Sequence, residues 1–98
     1  MPAYIIVDVQ INNPEEYEEY RKLTPASIAS YGGSFIVRGG NAEVLEGDWK
    51  PGRVVVLEFP DADRAKQWWS SIEYASAKSI RQGAATTRMI VMDGVNAV

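Results

Sequence analysis

Residues Arg53–Phe59, with the sequence RVVVLEF, form the clearest strand in the chain, and they decide the fold. Consecutive valines followed by leucine and phenylalanine are typical of a strand, because β-branched and aromatic side chains fit the pleated surface of a sheet. Successive side chains of a strand point to opposite faces. Both faces are apolar here, with Val55 and Leu57 on one and Val54 and Val56 on the other. The sheet that contains this strand therefore needs a cover on each side.

The residues after this strand predict two helices and a final strand. Asp61 can cap the first helix. The apolar face of that helix carries Ala65, Trp68, Trp69 and Ile72. Glu73–Arg81 predicts a further short helix, and Thr87–Met92 predicts the last strand.

The residues before it begin with a strand and a long helix. Ala3–Ile11 is rich in β-branched residues and predicts the first strand. Asn13 can cap the following helix, Pro14 suits its first position, and Glu16 can complete a capping box. Pro25 predicts a kink or a restart within this helix, since proline removes a backbone hydrogen bond.

Glycine-rich turns and one further strand connect these two halves. The pair Gly32-Gly33 predicts the end of the helix, with one glycine in the left-handed conformation. The segments that follow are a second strand at Ser34–Arg38, a turn at Gly39-Gly40-Asn41, a short return strand at Ala42–Leu45 and a loop at Glu46–Gly52. The order β-α-β-β-α-β predicts a single α+β domain over residues 1–98, a ferredoxin-like sandwich whose four-stranded antiparallel sheet carries its helices on one face.

Strand parity assigns each side chain to a face of this sheet. The set expected under the helices is wholly apolar: Ile5, Val7, Val9, Phe35, Val37, Val55, Leu57, Phe59, Met89 and Val91. The opposite set is Tyr4, Ile6, Asp8, Ile36, Arg38, Val54, Val56, Glu58, Arg88, Ile90 and Met92. The second set is too apolar for a face in water, so we expect a second copy to cover it in a homodimer. Its four charged residues predict either salt bridges at the interface rim or a polar pocket between the sheets.

Composition excludes several classes of function. The net charge of −3 argues against nucleic acid or an anionic membrane as the partner. The chain has no cysteine and no histidine, so we expect no metal site, no cofactor and no Ser-His-Asp triad. The N-terminal residues do not resemble a signal peptide, which predicts a cytoplasmic location.

Four stretches carry a resemblance to a known family: AYIIVDVQINNPEEYEEY at 3–20, YGGSFIVRGG at 31–40, LEGDWKPGRVVVLEFP at 45–60 and SSIEYASAKSIR at 70–81. They resemble the bacterial family called domain of unknown function 1330. The resemblance implies a dimeric α+β barrel, in which two ferredoxin-like sheets pack back to back. It implies no reaction, because the family has none assigned. Relatives in the wider superfamily include cofactor-independent monooxygenases, lactone isomerases and haem-binding proteins, and the lack of histidine argues against the haem branch.

The candidate site comprises residues without an obvious place in the core. Arginines suit carboxylate or phosphate groups, and aromatic side chains suit the walls of a pocket. The predicted ligand-binding residues are Tyr20, Arg38, Trp49, Arg53, Tyr74 and Arg81, and the predicted general base is Glu46 or Asp8. Structural roles are the alternatives: a pair between Arg38 and Glu46, a lid formed by Trp49, and capping of a helix C-terminus by Arg81.

Three functions fit this pattern. The first is a cofactor-free dimeric enzyme that acts on a small anionic or oxygenated metabolite by proton transfer, isomerisation or a monooxygenase-like reaction. The second is a dimer that binds such a small-molecule ligand without catalysis. The third is a structural module whose charged residues only set the register of the dimer.

Overall fold

Four strands form one antiparallel sheet, and helices pack against one of its faces. The computed structural model describes residues 1–96. The strands are β1 (Ala3–Ile11), β2 (Ser34–Arg38), β3 (Arg53–Phe59) and β4 (Ala85–Asp93), and the helices are α1 (Pro14–Ser30), α2 (Ala62–Trp69) and α3 (Ile72–Ala84). The strand order is β2-β3-β1-β4, and every neighbouring pair is antiparallel. The predicted four-stranded α+β fold is confirmed.

Helix α1 begins as predicted and continues through its proline. The Asn13 side chain accepts a hydrogen bond of 3.2 Å from the backbone N–H of Glu16. Past Pro25 the helix runs on to Ser30 without a restart. Tyr20 before the proline and Ile28 after it are buried in the same core, so tertiary packing outweighs the hydrogen bond that proline removes. Gly32, with a φ of 77°, ends this segment in the left-handed conformation.

The core lies between the sheet and the helices. The helix-facing side chains of the two central strands are buried: Ile5, Val7, Val9, Val55, Leu57 and Phe59. The Trp68 ring of α2 packs on Phe59, with ring centroids 5.6 Å apart. Burying these apolar surfaces contributes about 25 cal/mol for each Å² removed from water, which makes this layer the main source of stability.

The predicted apolar face of α2 is wrong for two residues. Ala65 and Trp68 are buried, but Trp69 is exposed and Ile72 is 87% exposed. The reason is a break in the chain direction: α2 ends at Trp69, and the Ser71 side chain caps a separate helix, α3. The helical periodicity therefore does not continue from Trp68 to Ile72.

An irregularity in β2 exchanges the faces of two residues. Phe35 pairs with Leu57, but Val37 pairs with Val56 and Arg38 pairs with Val55, so the register shifts by one residue. A one-residue shift moves every later side chain to the other face. Arg38 consequently lies on the helix-facing side and Val37 on the opposite side, the reverse of the assignment made from simple alternation.

The connection between β2 and β3 contains no regular structure. Residues 39–52 include neither helix nor strand, so the predicted return strand at Ala42–Leu45 is wrong. Among the described residues β3 is the strand that pairs with β2, and the other side of β2 forms an edge of the sheet. The loop instead projects outward, and Leu45 is 92% exposed. Within residues 1–96, no helix is both long and apolar enough to cross a membrane.

Candidate functional site

A cavity of about 500 Å³ opens between β4 and the two short helices. We call it the Arg81 cavity. Its walls include apolar side chains of the sheet, among them Ile5, Met89 and Val91, and the exposed side chains of Lys66, Trp69 and Gln82 stand at its mouth. The break between α2 and α3 places these helices over an edge strand of the sheet. Ligand cavities in proteins have volumes of about 300–1,000 Å³, so this one has the size of a small-molecule site.

Arg81 is the buried cation of this cavity. It lies in the last turn of α3 and lines the cavity, yet it is only 5% exposed. Its Nε donates a hydrogen bond of 3.3 Å to the hydroxyl of Tyr74, the only hydrogen bond of its side chain among residues 1–96. No carboxylate of that range lies within salt-bridge distance of its guanidinium. Arg81 is thus a buried charge without a counter-charge among residues 1–96.

Two buried tyrosines connect Arg81 to α1 through hydrogen bonds. The hydroxyls of Tyr20 and Tyr74 are 2.8 Å apart, which makes a hydrogen-bonded chain from α1 through Tyr74 to Arg81. The Tyr74 ring stacks on Trp68 with centroids 4.0 Å apart. Burial, followed by the proximity of Tyr74, raises the pKa of Tyr20, so its hydroxyl keeps its proton. Three of the predicted ligand-binding residues are therefore brought together, with Arg81 at the cavity and the tyrosines supporting it.

Thr87 adds to the wall of the Arg81 cavity a hydroxyl that has no hydrogen-bond partner. Its hydroxyl is buried, has no hydrogen-bond partner and belongs to a residue that lines the Arg81 cavity. Buried hydroxyls nearly always find a partner, so an orphan at a cavity wall marks a place where a ligand or water oxygen fits. The residue was not predicted from the sequence. Strand parity was the one signal in the sequence that pointed to it, because a polar Thr87 shares the helix-facing side of β4 with Met89 and Val91.

Arg38 and Arg53 lie in a different place. Both line a smaller cavity between α1 and the sheet, which is lined by residues of β1, β2 and β3 and by Met89 of β4. Arg53 lies opposite Val9, which confirms that it faces the helices. The expected convergence of all three arginines on one cleft is not observed, because Arg81 lines the larger cavity and the other two line the smaller one.

Asp8 and Trp49 form a third group, on the face of the sheet opposite the helices. One oxygen of Asp8 accepts a hydrogen bond of 2.8 Å from the backbone N–H of Gly52. The other accepts one of 3.0 Å from the indole of Trp49. Both oxygens are thus engaged in holding the β2–β3 loop, which is a structural task.

Glu46 does not join any of these groups. It is an exposed residue of the β2–β3 loop, and no salt bridge in the described part of the chain links it to Arg38. The guanidinium of Arg38 instead lies over the ring of Phe35, 4.3 Å from its centroid. The salt bridges predicted between the charged residues of the opposite sheet face likewise do not form among residues 1–96 of one protomer. Glu58 there accepts a hydrogen bond from Tyr4.

Metal binding finds no support in the described residues. Within residues 1–96, no group of three or more acidic, histidine or cysteine side chains is arranged to hold a metal ion. The Arg81 cavity is lined by two cationic side chains, Arg81 and Lys66, and by no Asp or Glu of that range. It can therefore attract an anion and repel a cation.

The fold and this cavity define a ferredoxin-like α+β protein with a pocket between sheet and helices. The chain matches the family described as Domain of unknown function (DUF1330) over residues 2–95, and it belongs to that family. No match is found among curated proteins.

Solved structures share the fold at low sequence identity. A protein of unknown function from Rhodopseudomonas palustris is 20% identical, with a TM-score of 0.78 over 98% of this chain and 84% of that one. SnoaB, a cofactor-independent oxygenase from Streptomyces nogalater, is 13% identical, with a TM-score of 0.66 over 99% and 96%. A dimeric protein of unknown function and ferredoxin-like fold from Bacteroides fragilis is also 13% identical, with a TM-score of 0.57 over 95% and 96%.

Proposed function

We propose that the protein binds a small organic anion, with a largely apolar body, in the Arg81 cavity. The observation that carries the proposal is a buried arginine at a cavity of ligand size, without a counter-charge in the part of the chain that the structure describes. A buried ion that lacks a partner is strongly destabilising, whereas a paired one is tolerated. A bound anion supplies that partner.

The lining favours one chemical class of ligand. A guanidinium offers parallel donors that match the two oxygens of a carboxylate. Thr87 adds a hydroxyl, and Lys66 at the mouth adds a second positive charge. The remaining walls are apolar, and Trp69 supplies an aromatic surface. An aromatic or aliphatic carboxylic acid, or an enolate or phenolate of similar size, satisfies all of these groups.

Catalysis without a cofactor is the second candidate. SnoaB is a cofactor-independent oxygenase that shares the fold. In such a role, Arg81 would stabilise negative charge that develops on a substrate oxygen. The proton-transfer version is less well supported, because the predicted bases Asp8 and Glu46 do not line the cavity. Binding of an anion is common to both candidates and is the function that the site supports best.

A second copy of the chain is the partner that we propose for the open face, the side of the sheet away from the helices. Ile90 of β4 is 56% exposed and Met92 is 49% exposed at one edge of this face, and Ile36 and Val37 of β2 are exposed at the other edge. The half-buried Ile6 and Val56 of the two central strands lie between these edges. Contiguous apolar area of this kind is typical of an interface. A two-fold axis lets the same face cover itself. The dimeric relative from Bacteroides fragilis supports this arrangement.

A thermal-shift screen tests the ligand site. Aromatic and aliphatic carboxylates are compared with their neutral amides on the wild type, on Arg81→Met and on the control Arg64→Met, which changes an exposed arginine of α2. A ligand at a hundred times its Kd adds about 2.7 kcal/mol to the free energy of unfolding. We expect carboxylates, but not amides, to stabilise the wild type and the control. An equal response in Arg81→Met would refute the site, and Thr87→Val provides a milder second variant.

A further inference from the structure

The smaller cavity, between α1 and the sheet, carries three arginines. Arg21 of α1, Arg38 of β2 and Arg53 of β3 all line it, and no Asp or Glu of residues 1–96 does. Arg38 pairs with Val55, two residues along β3 from Arg53. Like charges at such diagonal positions of a sheet repel each other unless something compensates them.

The donors of these arginines are only partly used. The Nε atoms of Arg21 and Arg53 are both buried, and neither has a hydrogen-bond partner. Arg21 reaches one carboxylate through Nη1, which lies 2.8 Å from Glu18 on the outer surface of α1. Two buried N–H groups without acceptors at one small cavity require an explanation, and an unoccupied anion position provides it.

The local sequence builds this arrangement in two ways. The register shift in β2 turns Arg38 toward the helices, where alternation alone would have placed it on the open face. Gly39 has a φ of 70°, and a Cβ atom at this position would meet the guanidinium of Arg53. Glycine therefore leaves the space in which that guanidinium lies.

A buried tyrosine completes the polar lining. Tyr17 is buried against the same cavity. Burial raises its pKa, while the positive charges of Arg53 and then Arg21 act in the opposite direction. The tyrosine stays neutral at physiological pH and offers a hydroxyl donor beside the guanidinium groups.

We infer that Arg21, Arg38 and Arg53 form a second anion site, which binds one phosphate-sized oxyanion. The cavity of about 30 Å³ has no room for an organic body, so only the charged group enters. A tetrahedral oxyanion has enough acceptor oxygens to serve three guanidinium groups and a hydroxyl, whereas a carboxylate has two oxygens. The site is distinct from the Arg81 cavity, because none of the three arginines lines that cavity, although Met89 lines both.

Calorimetric titration with inorganic phosphate and with sulfate tests the site. We expect one anion for each chain, with binding that weakens as sodium chloride is added. Arg38→Gln and Arg53→Gln should each weaken it by about tenfold or more, because each removes a charge-assisted hydrogen bond. Arg64→Gln is the matched control, and it should bind as the wild type does. Arg38 is exposed, so its variant should keep the fold.

Two further measurements show whether phosphate reaches these arginines and which kind of phosphate compound is the ligand. The arginine Nε–H signals of Arg21 and Arg53, observed by nitrogen-15 NMR, should shift on addition of phosphate. Tighter binding of glycerol phosphate than of inorganic phosphate would identify a phosphate ester as the ligand source, and equal binding would identify the free ion. Arg81→Met removes the central cation of the Arg81 cavity, so phosphate binding that persists in this variant reports the three-arginine site and keeps the two tests separate. Absence of saturable binding, or unchanged affinity in both glutamine variants, would overturn the inference. A carboxylate of the partner subunit seated among the three arginines would overturn it as well.

Discussion

Replacing Tyr74 by phenylalanine tests the buried hydrogen-bonded chain behind the Arg81 cavity. The change removes one oxygen atom and keeps the ring that stacks on Trp68. The lost hydroxyl contacts the hydroxyl of Tyr20 at 2.8 Å and the Nε of Arg81 at 3.3 Å. Leaving a buried group without its hydrogen bond lowers the free energy of unfolding by about 1–3 kcal/mol, and the loss for charged groups lies at the upper end of this range. With two groups affected, we expect a loss of about 2–4 kcal/mol in the free energy of unfolding.

Tyr31→Phe is the matched control for this measurement. The Tyr31 hydroxyl also makes one side-chain hydrogen bond, of 2.9 Å to Glu73, but that bond is exposed. Its loss should cost less than about 1 kcal/mol. Urea denaturation monitored by circular dichroism measures both variants. If Tyr74→Phe is no less stable than Tyr31→Phe, and binds carboxylates as tightly as the wild type, then the tyrosine chain does not position Arg81.

Three further predictions concern the open face, the loop and the pH dependence of stability. Val56→Asp should convert the proposed dimer to monomers in sedimentation equilibrium, whereas Ser79→Asp on the exposed side of α3 should not; a dimer in both would contradict the interface. Asp8→Ala removes the hydrogen-bond acceptors of the Trp49 indole and the Gly52 amide. The change should lower the free energy of unfolding by about 1–3 kcal/mol and shift the tryptophan emission to the red. If neither changes, these bonds do not hold the loop. Burial raises the pKa of Tyr20 in the folded state above its unfolded value of about 10. The stability that neutral Tyr20 contributes to the folded protein is therefore complete below about pH 10 and is lost as the pH rises above about 10. The unfolding free energy should fall more steeply with pH above about 10 in the wild type than in Tyr20→Phe, and equal slopes would disprove this linkage.

The regular elements follow from the sequence because local chemistry determines them. The bounds of β1, β2 and β3 agree with the predicted ones, and Asn13 and Asp61 cap their helices as expected. Capping depends on residues within one turn, and a strand with alternating or continuous apolar character has few other ways to fold. The confirmed fold rests on these local signals.

The errors arise where pairing with a distant strand, or the start of a new helix, overrides the apolar spacing. The register shift in β2 depends on its pairing with β3, and it moved Arg38 to the helix-facing side. The break at Ser70–Ser71 turned α3 away from α2 and left Ile72 exposed. No periodicity in the sequence encodes either change.

Three of the residues chosen from the sequence meet at the Arg81 cavity, and the rest of its lining was not predicted. Tyr20, Tyr74 and Arg81 do meet, because α1 and α3 pack side by side across the sheet. The other predicted residues divide between the three-arginine cavity and the β2–β3 loop. Thr87 was missed because its orphan hydroxyl is recognisable only when the cavity is known.

A crystal structure of the protein with a carboxylate selected by the thermal-shift screen tests the central claim most directly. We predict that the carboxylate oxygens lie within hydrogen-bond distance of the Arg81 guanidinium, that the Thr87 hydroxyl donates to the ligand, and that the apolar body fills the space beside Met89. A ligand bound elsewhere, or an Arg81 already neutralised by an acidic side chain of a second protomer, would contradict it.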